Sequence, residues 1–174
     1  ADKQLSVDSY RKVINCKTAL LFESATHSAA VLASLSNSEV EKTSIESIRA
    51  YGHHFGMAYQ LVDDLLDYVG DKTVMGKNTG DDLAEGKLTL PVILAITRTK
   101  GKDTRVLLDA IEQKSSANLE QIVDIITASG ALEETQAAAL KEIEHARNCL
   151  TRLPENEYRQ ALETLTDYSA DRIY

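Results

Sequence analysis

Four carboxylates fall within twelve residues of an otherwise apolar stretch, Gln60-Leu-Val-Asp63-Asp64-Leu-Leu-Asp67-Tyr-Val-Gly-Asp71. At ~100° per residue of an α-helix, Gln60, Asp63, Asp64, Asp67 and Asp71 share an arc of about 100°. Leu61, Val62, Leu65, Leu66, Tyr68 and Val69 take the rest of the circumference. Carboxylates ~5 Å apart repel by roughly 3 kcal/mol at an effective dielectric of ~20. An acidic run on a helix is commonly a solvated face, but an apolar arc this wide belongs to a helix covered on most sides. Spacing alone leaves two readings open, a solvated acidic face or a stripe neutralised by a hard divalent cation with oxygen ligands.

Cationic side chains elsewhere narrow the chemistry. Lys17 stands alone on an apolar helical stretch, and Lys77 and Lys87 lie in the glycine-containing segment that follows the stripe. Carboxylates, Mg²⁺ and ammonium groups together are what a diphosphate requires: the metal bridges carboxylate and phosphate oxygens, and lysines neutralise the remaining charge. If the diphosphate departs in the reaction, the same cations stabilise the charge that develops on it. Apolar helices around such a site would house a hydrocarbon, so the pattern suits ionisation of an allylic diphosphate.

The elements that must position these groups are helices. Prolines number two and glycines eight in 174 residues, an all-α composition. Capping residues between Ser6 and Ser9 precede a helical pattern running to about Leu35, on which Lys17, Leu21, Ser24 and Ser28 share a face with Thr18 beside it. A second helix is predicted from about Ser38 to Val69; it carries the stripe, with Gly52 and Gly56 near its polar side and His53 along the acidic face. Gly70 to Gly86 reads as a long loop with little to bury, the kind that is functional or mobile. Thr89-Leu90-Pro91 opens a helix to about Thr99. Further helical patterns cover 103–114, 118–129 (ended by Gly130), 131–153 and, from Pro154, a last helix to about Arg172.

A length of 174 residues fits one helical domain, and a net charge of −8 argues against nucleic acid as a partner. Cys16 and Cys149 make no metal-binding spacing and read as reduced thiols of a cytoplasmic protein. No apolar run reaches membrane-spanning length. The chain opens without a Met and almost directly into a helical pattern, which suggests a fragment of something longer.

Three segments in register carry a resemblance. Phe55-Gly-Met-Ala-Tyr-Gln60-Leu-Val-Asp63-Asp64-Leu-Leu-Asp67-Tyr looks like the second aspartate-rich motif of the trans-isoprenyl diphosphate synthases. Met75-Gly-Lys77-Asn-Thr-Gly80-Asp81-Asp82-Leu-Ala-Glu-Gly86-Lys87-Leu-Thr-Leu-Pro91 resembles the loop that follows it in the long-chain, octaprenyl-type members, and Lys17-Thr18-Ala19 matches the family's Lys-Thr motif. Order and spacing agree over about residues 8–95. The resemblance implies the C-terminal half of an isoprenoid-synthase-type helical bundle around a central cavity. It implies Mg²⁺ held by Asp63, Asp64 and Asp67, Asp63 most firmly. It implies catalytic roles for Lys17, Thr18, Gln60, Asp63 and Lys77, and a diphosphate-binding set of Lys17, Gln60, Lys77 and Lys87, with Lys87, Asp81 and Asp82 in the supporting loop. The reaction implied is head-to-tail condensation of an allylic prenyl diphosphate with isopentenyl diphosphate, in a homodimer at full length.

The family's first aspartate-rich motif and its upstream Arg and His residues have no counterpart here, so the isolated polypeptide is expected to be inactive. An alternative is a non-catalytic partner subunit or helical interaction protein sharing the fold. Retention of Lys17, Gln60, Asp63, Asp64, Asp67 and Lys77 speaks against it. A terpene cyclase would carry an Asn/Asp-Asp-x-x-Ser/Thr-x-x-x-Glu pattern where this chain has Asp63-Asp64-Leu-Leu-Asp67.

Overall fold

The computed structural model describes residues 6–37, 41–69 and 79–173. Every regular element among them is helical: α1 (Val7–Ile14), a π-helical turn (Asn15–Ala19), α2 (Leu20–Ser36), α3 (Lys42–Val69), α4 (Asp81–Glu85), α5 (Leu90–Arg98), α6 (Lys102–Glu112), α7 (Leu119–Ala128), α8 (Ala131–Leu150) and α9 (Glu157–Asp171). None of these helices is long and apolar enough to cross a membrane. The chain divides into two compact units, Ala1–Arg11 with Asp63–Ala137 and Lys12–Val62 with Ala138–Tyr174.

The first unit holds the acidic end of α3 and the short helices after it. Leu83, Val92, Ile93, Leu107, Ile122 and Ile126 form its buried interior. Thr89 is extended ahead of α5 and Pro91 occupies the first turn, where its missing N–H costs nothing. Gly130, at φ +71°, closes α7. The guanidinium of Arg98 donates to the Ser129 and Gly130 carbonyls at 3.2 and 2.9 Å and pairs with Glu134, bracing the turn between α7 and α8.

In the second unit, α2 and α3 meet backbone to backbone. A methyl group built on Gly56 would lie 2.7 Å from the Ala19 Cα, and one on Gly52 would lie 2.2 Å from Thr26 Oγ1 and 2.7 Å from the Phe22 carbonyl oxygen. These glycines are required by close approach, which the polar-side placement on a helical wheel did not reveal. Tyr51, Phe55, Ala146 and Leu150 form the adjoining core, with Phe22 edge-on to Phe55 at 5.2 Å. Buried Glu142 is matched by His54 Nδ1 at 2.8 Å. Helix α2 contributes no buried residue, and Leu21, Leu32 and Leu35 are 72%, 64% and 79% exposed.

Several boundaries differ from expectation. The run from Tyr10 to Leu35 is interrupted by the π-helical turn, and α3 begins at Lys42 (38–40 lie outside the described residues). The segment read as a loop to Gly86 contains α4, whose Leu83 is fully buried. The last helix starts at Glu157 rather than Pro154, because Asn156 is its cap: the Asn156 side-chain carbonyl accepts from the Arg159 N–H at 2.9 Å.

Candidate functional site

Lys17 and Thr18 both belong to the π-helical turn, where hydrogen bonds span five residues and one more residue is accommodated than an α-helix would hold. Such turns present their side chains at angles an α-helix cannot, and they are frequent at functional sites. Lys17 is exposed there. Thr18 Oγ1 donates to Gln60 Oε1 at 2.7 Å, joining two of the candidate residues within the second unit. Gln60 itself is buried.

The three aspartates open the first unit's share of α3, each in a different setting. Asp63 is half-buried. Asp64 is 4% exposed, and its Oδ2 accepts from the hydroxyl of Tyr10 at 2.6 Å. Burial, then the Asp64 charge, drive the Tyr10 hydroxyl's acidity far down, so Tyr10 remains a neutral donor. Sequence reading passed over Tyr10 because one tyrosine in an amphipathic helix carries no spacing signal.

Asp67 serves a second element. The Asp81 and Asp82 N–H groups donate to its Oδ1 and Oδ2 at 3.2 and 3.1 Å, so its carboxylate caps α4 from another helix. Its carboxyl pKa is pushed up to about 6, by burial first and next by the Asp82 carboxylate, against the lowering effect of those N–H bonds. Lys87 offsets part of the acidity: its ammonium meets Asp82 at 2.9 Å and Glu85 at 2.7 Å, and those two bonds, Glu85's first, hold its pKa well above the usual lysine range. A diphosphate reaching Lys87 would displace two carboxylates. Lys77 lies outside the described residues.

Among the described residues no three His, Cys, Asp or Glu side chains form a group that could hold a metal ion. That donor set still fits Mg²⁺, which retains waters and commonly uses one or two carboxylates together with substrate phosphates.

Comparison with known proteins bears on the family and the fold. Residues 1–127 match the family model described as polyprenyl synthetase. The all-trans-nonaprenyl-diphosphate synthase (geranyl-diphosphate specific) of Rhodobacter capsulatus is 43% identical over 166 residues, covering 95% of this chain and 49% of that protein. Among solved structures, a decaprenyl diphosphate synthase from Rhodobacter capsulatus superposes with a TM-score of 0.86 at 36% identity, covering 98% of this chain and 52% of the other. A polyprenyl synthase from Caulobacter crescentus, complexed with calcium and isoprenyl diphosphate, gives 0.85 at 37%, covering 97% and 51%. The chain belongs to the polyprenyl synthetase family and has the all-α fold of its members. It spans about half the length of the curated relatives it matches.

Proposed function

We propose that these residues are the C-terminal portion, folded as one helical domain, of a polyprenyl diphosphate synthase that condenses an allylic prenyl diphosphate with isopentenyl diphosphate. The observation that carries the reading is the carboxylate stripe on α3, where half-buried Asp63 and Asp67 and buried Asp64 share one face with buried Gln60. A divalent cation, Mg²⁺, held by one or two of Asp63, Asp64 and Asp67 together with the diphosphate oxygens, would supply charge neutralisation for the diphosphate and its departure. Lys17 and Lys77 contact the diphosphate as point charges, and Lys87 adds to them once released from Asp82 and Glu85. The allylic C–O bond breaks with its electron pair leaving on the diphosphate. The isopentenyl double bond then attacks the allylic carbon, and a proton is lost from the adduct.

Thr18 fixes the rotation of the Gln60 amide by donating to its carbonyl oxygen, and in this reading Gln60 lies near the carbon that becomes positive. The apolar helices keep water from that carbon, so it is captured by the alkene rather than hydrolysed. Exposed Leu21, Leu32 and Leu35 on α2 support a larger assembly, because an apolar helix without a buried side chain needs cover. A homodimer in the cytoplasm is the expected form. The test is Asp63→Ala in the full-length protein, expected to lower Mg²⁺-dependent turnover of the allylic diphosphate by roughly 10²–10³-fold. Unchanged turnover would remove the metal role from the stripe.

A further inference from the structure

We infer that Tyr10 is a positioning residue for the acidic stripe, its hydroxyl fixing the orientation in which the Asp64 carboxylate meets a divalent cation. The inference rests on the reading of the stripe as a cation site. Tyr10 and Asp64 are separated by 54 positions in sequence, yet the hydroxyl-to-Oδ2 distance is 2.6 Å and both residues are at most 5% exposed. A buried carboxylate without a donor costs several kcal/mol, so some partner is obligatory.

The Tyr10 hydroxyl satisfies one carboxylate oxygen and fixes the plane of the group. Carboxylates that ligate metals are characteristically oriented by such outer hydrogen bonds, whose loss costs 10–100-fold in metal affinity. The donor is itself fixed. Helix α1 is capped where the Ser9 N–H donates to Ser6 Oγ at 3.1 Å, and the Tyr10 N–H donates to the Ser6 carbonyl oxygen at 3.0 Å. Its ring is buried, so the hydroxyl reaches Asp64 from a rigid base.

The test uses the full-length protein, Mn²⁺ as probe and inorganic pyrophosphate, with free Mn²⁺ read by electron paramagnetic resonance. Tyr10→Phe is expected to weaken pyrophosphate-dependent Mn²⁺ binding by about 10-fold or more, and to add nothing in the Asp64→Asn background. A Tyr10→Phe protein that melts earlier without cation but binds Mn²⁺ as tightly as the parent would reduce Tyr10 to a structural residue and overturn the inference. So would an equal loss with and without Asp64. If Tyr10→Phe does not fold, fluorotyrosine at position 10 preserves ring and hydroxyl while making the hydroxyl more acidic. Mn²⁺ affinity must then move, and an unchanged value also overturns the inference. Asp63→Ala separates the two levels. If it leaves Mn²⁺ binding intact, the stripe reading falls and the inference with it; if it abolishes binding while Tyr10→Phe does nothing, only the role of Tyr10 falls.

Discussion

Thr18 and Gln60, separated by 42 positions in sequence, are joined by a 2.7 Å hydrogen bond from the threonine hydroxyl to the glutamine carbonyl oxygen. The bond ties the π-helical turn to α3 and settles which end of the Gln60 amide faces Thr18. Thr18→Val keeps the side-chain shape and removes the donor, which costs about 1–3 kcal/mol at a buried acceptor. Turnover is therefore expected to fall about 10–100-fold, while Thr18→Ser restores most of it. Steady-state kinetics of the two variants in the full-length protein would decide; equal activities of Val and Ser variants would detach this bond from catalysis.

Asp67 gives a pH dependence of defined sign. Its folded-state pKa of about 6 stands above the ordinary 3.8, so the folded protein binds the extra proton between those values. The stabilising contribution is complete below about pH 4 and is lost as pH rises through about 6. Because the side chain is about half exposed, solvent screening holds the effect to roughly 1 kcal/mol. Thermal midpoints across pH 4–8 should show this slope without divalent cation. The slope should be smaller with Mg²⁺ and pyrophosphate present, and should flatten in Asp67→Asn. A parent and an Asp67→Asn protein with parallel pH profiles would contradict the assignment.

Gly56→Ala tests the close approach of the two long helices. The added methyl would meet the Ala19 backbone at 2.7 Å, and neither helix backbone can yield locally. A loss of about 1–3 kcal/mol in stability is expected, together with reduced catalysis, because Ala19 ends the turn that carries Lys17 and Thr18. Denaturant unfolding and kinetics on one preparation measure both. A stable but inactive variant would still agree with displacement of that turn, whereas a stable and fully active one would not.

The apolar face of α2 predicts behaviour of the 174-residue chain by itself. With Leu21, Leu32 and Leu35 exposed, it should self-associate and bind a hydrophobic dye. Replacing the three leucines by Ser or Glu should suppress both, as seen by light scattering and dye fluorescence. The same changes should destabilise the full-length protein. Improved solubility with no loss at full length would mean the face has no partner.

Much of this architecture was legible from residues whose preferences are local. Pro91 after Thr89 marks a helix start and Gly130 a helix end through backbone constraints that tertiary context rarely overrides. The stripe on α3 was legible because its period is that of the helix. The π-helical turn was not, because one accommodated residue shifts the phase without altering composition. Helix α4 was hidden for a different reason. Five residues have no helical signal of their own, and the partners that hold them, Asp67 and the pocket for Leu83, are supplied by tertiary structure. The same holds for Tyr10, whose meaning lies wholly in a contact across 54 residues.

A five-residue helix is far below the length at which helices persist unaided in water. Helix α4 therefore exists on the strength of its neighbours, among them the two N–H bonds received by Asp67. The consequence is a shared equilibrium. Any event that alters the Asp67 carboxylate, whether it gains a proton, loses its charge by substitution or turns toward a cation, also alters the order of residues 79–87 and with it the Asp82–Lys87 pair. By reciprocity, whatever orders or loosens that segment must change the affinity of Asp67 for its proton and its cation by the same free energy.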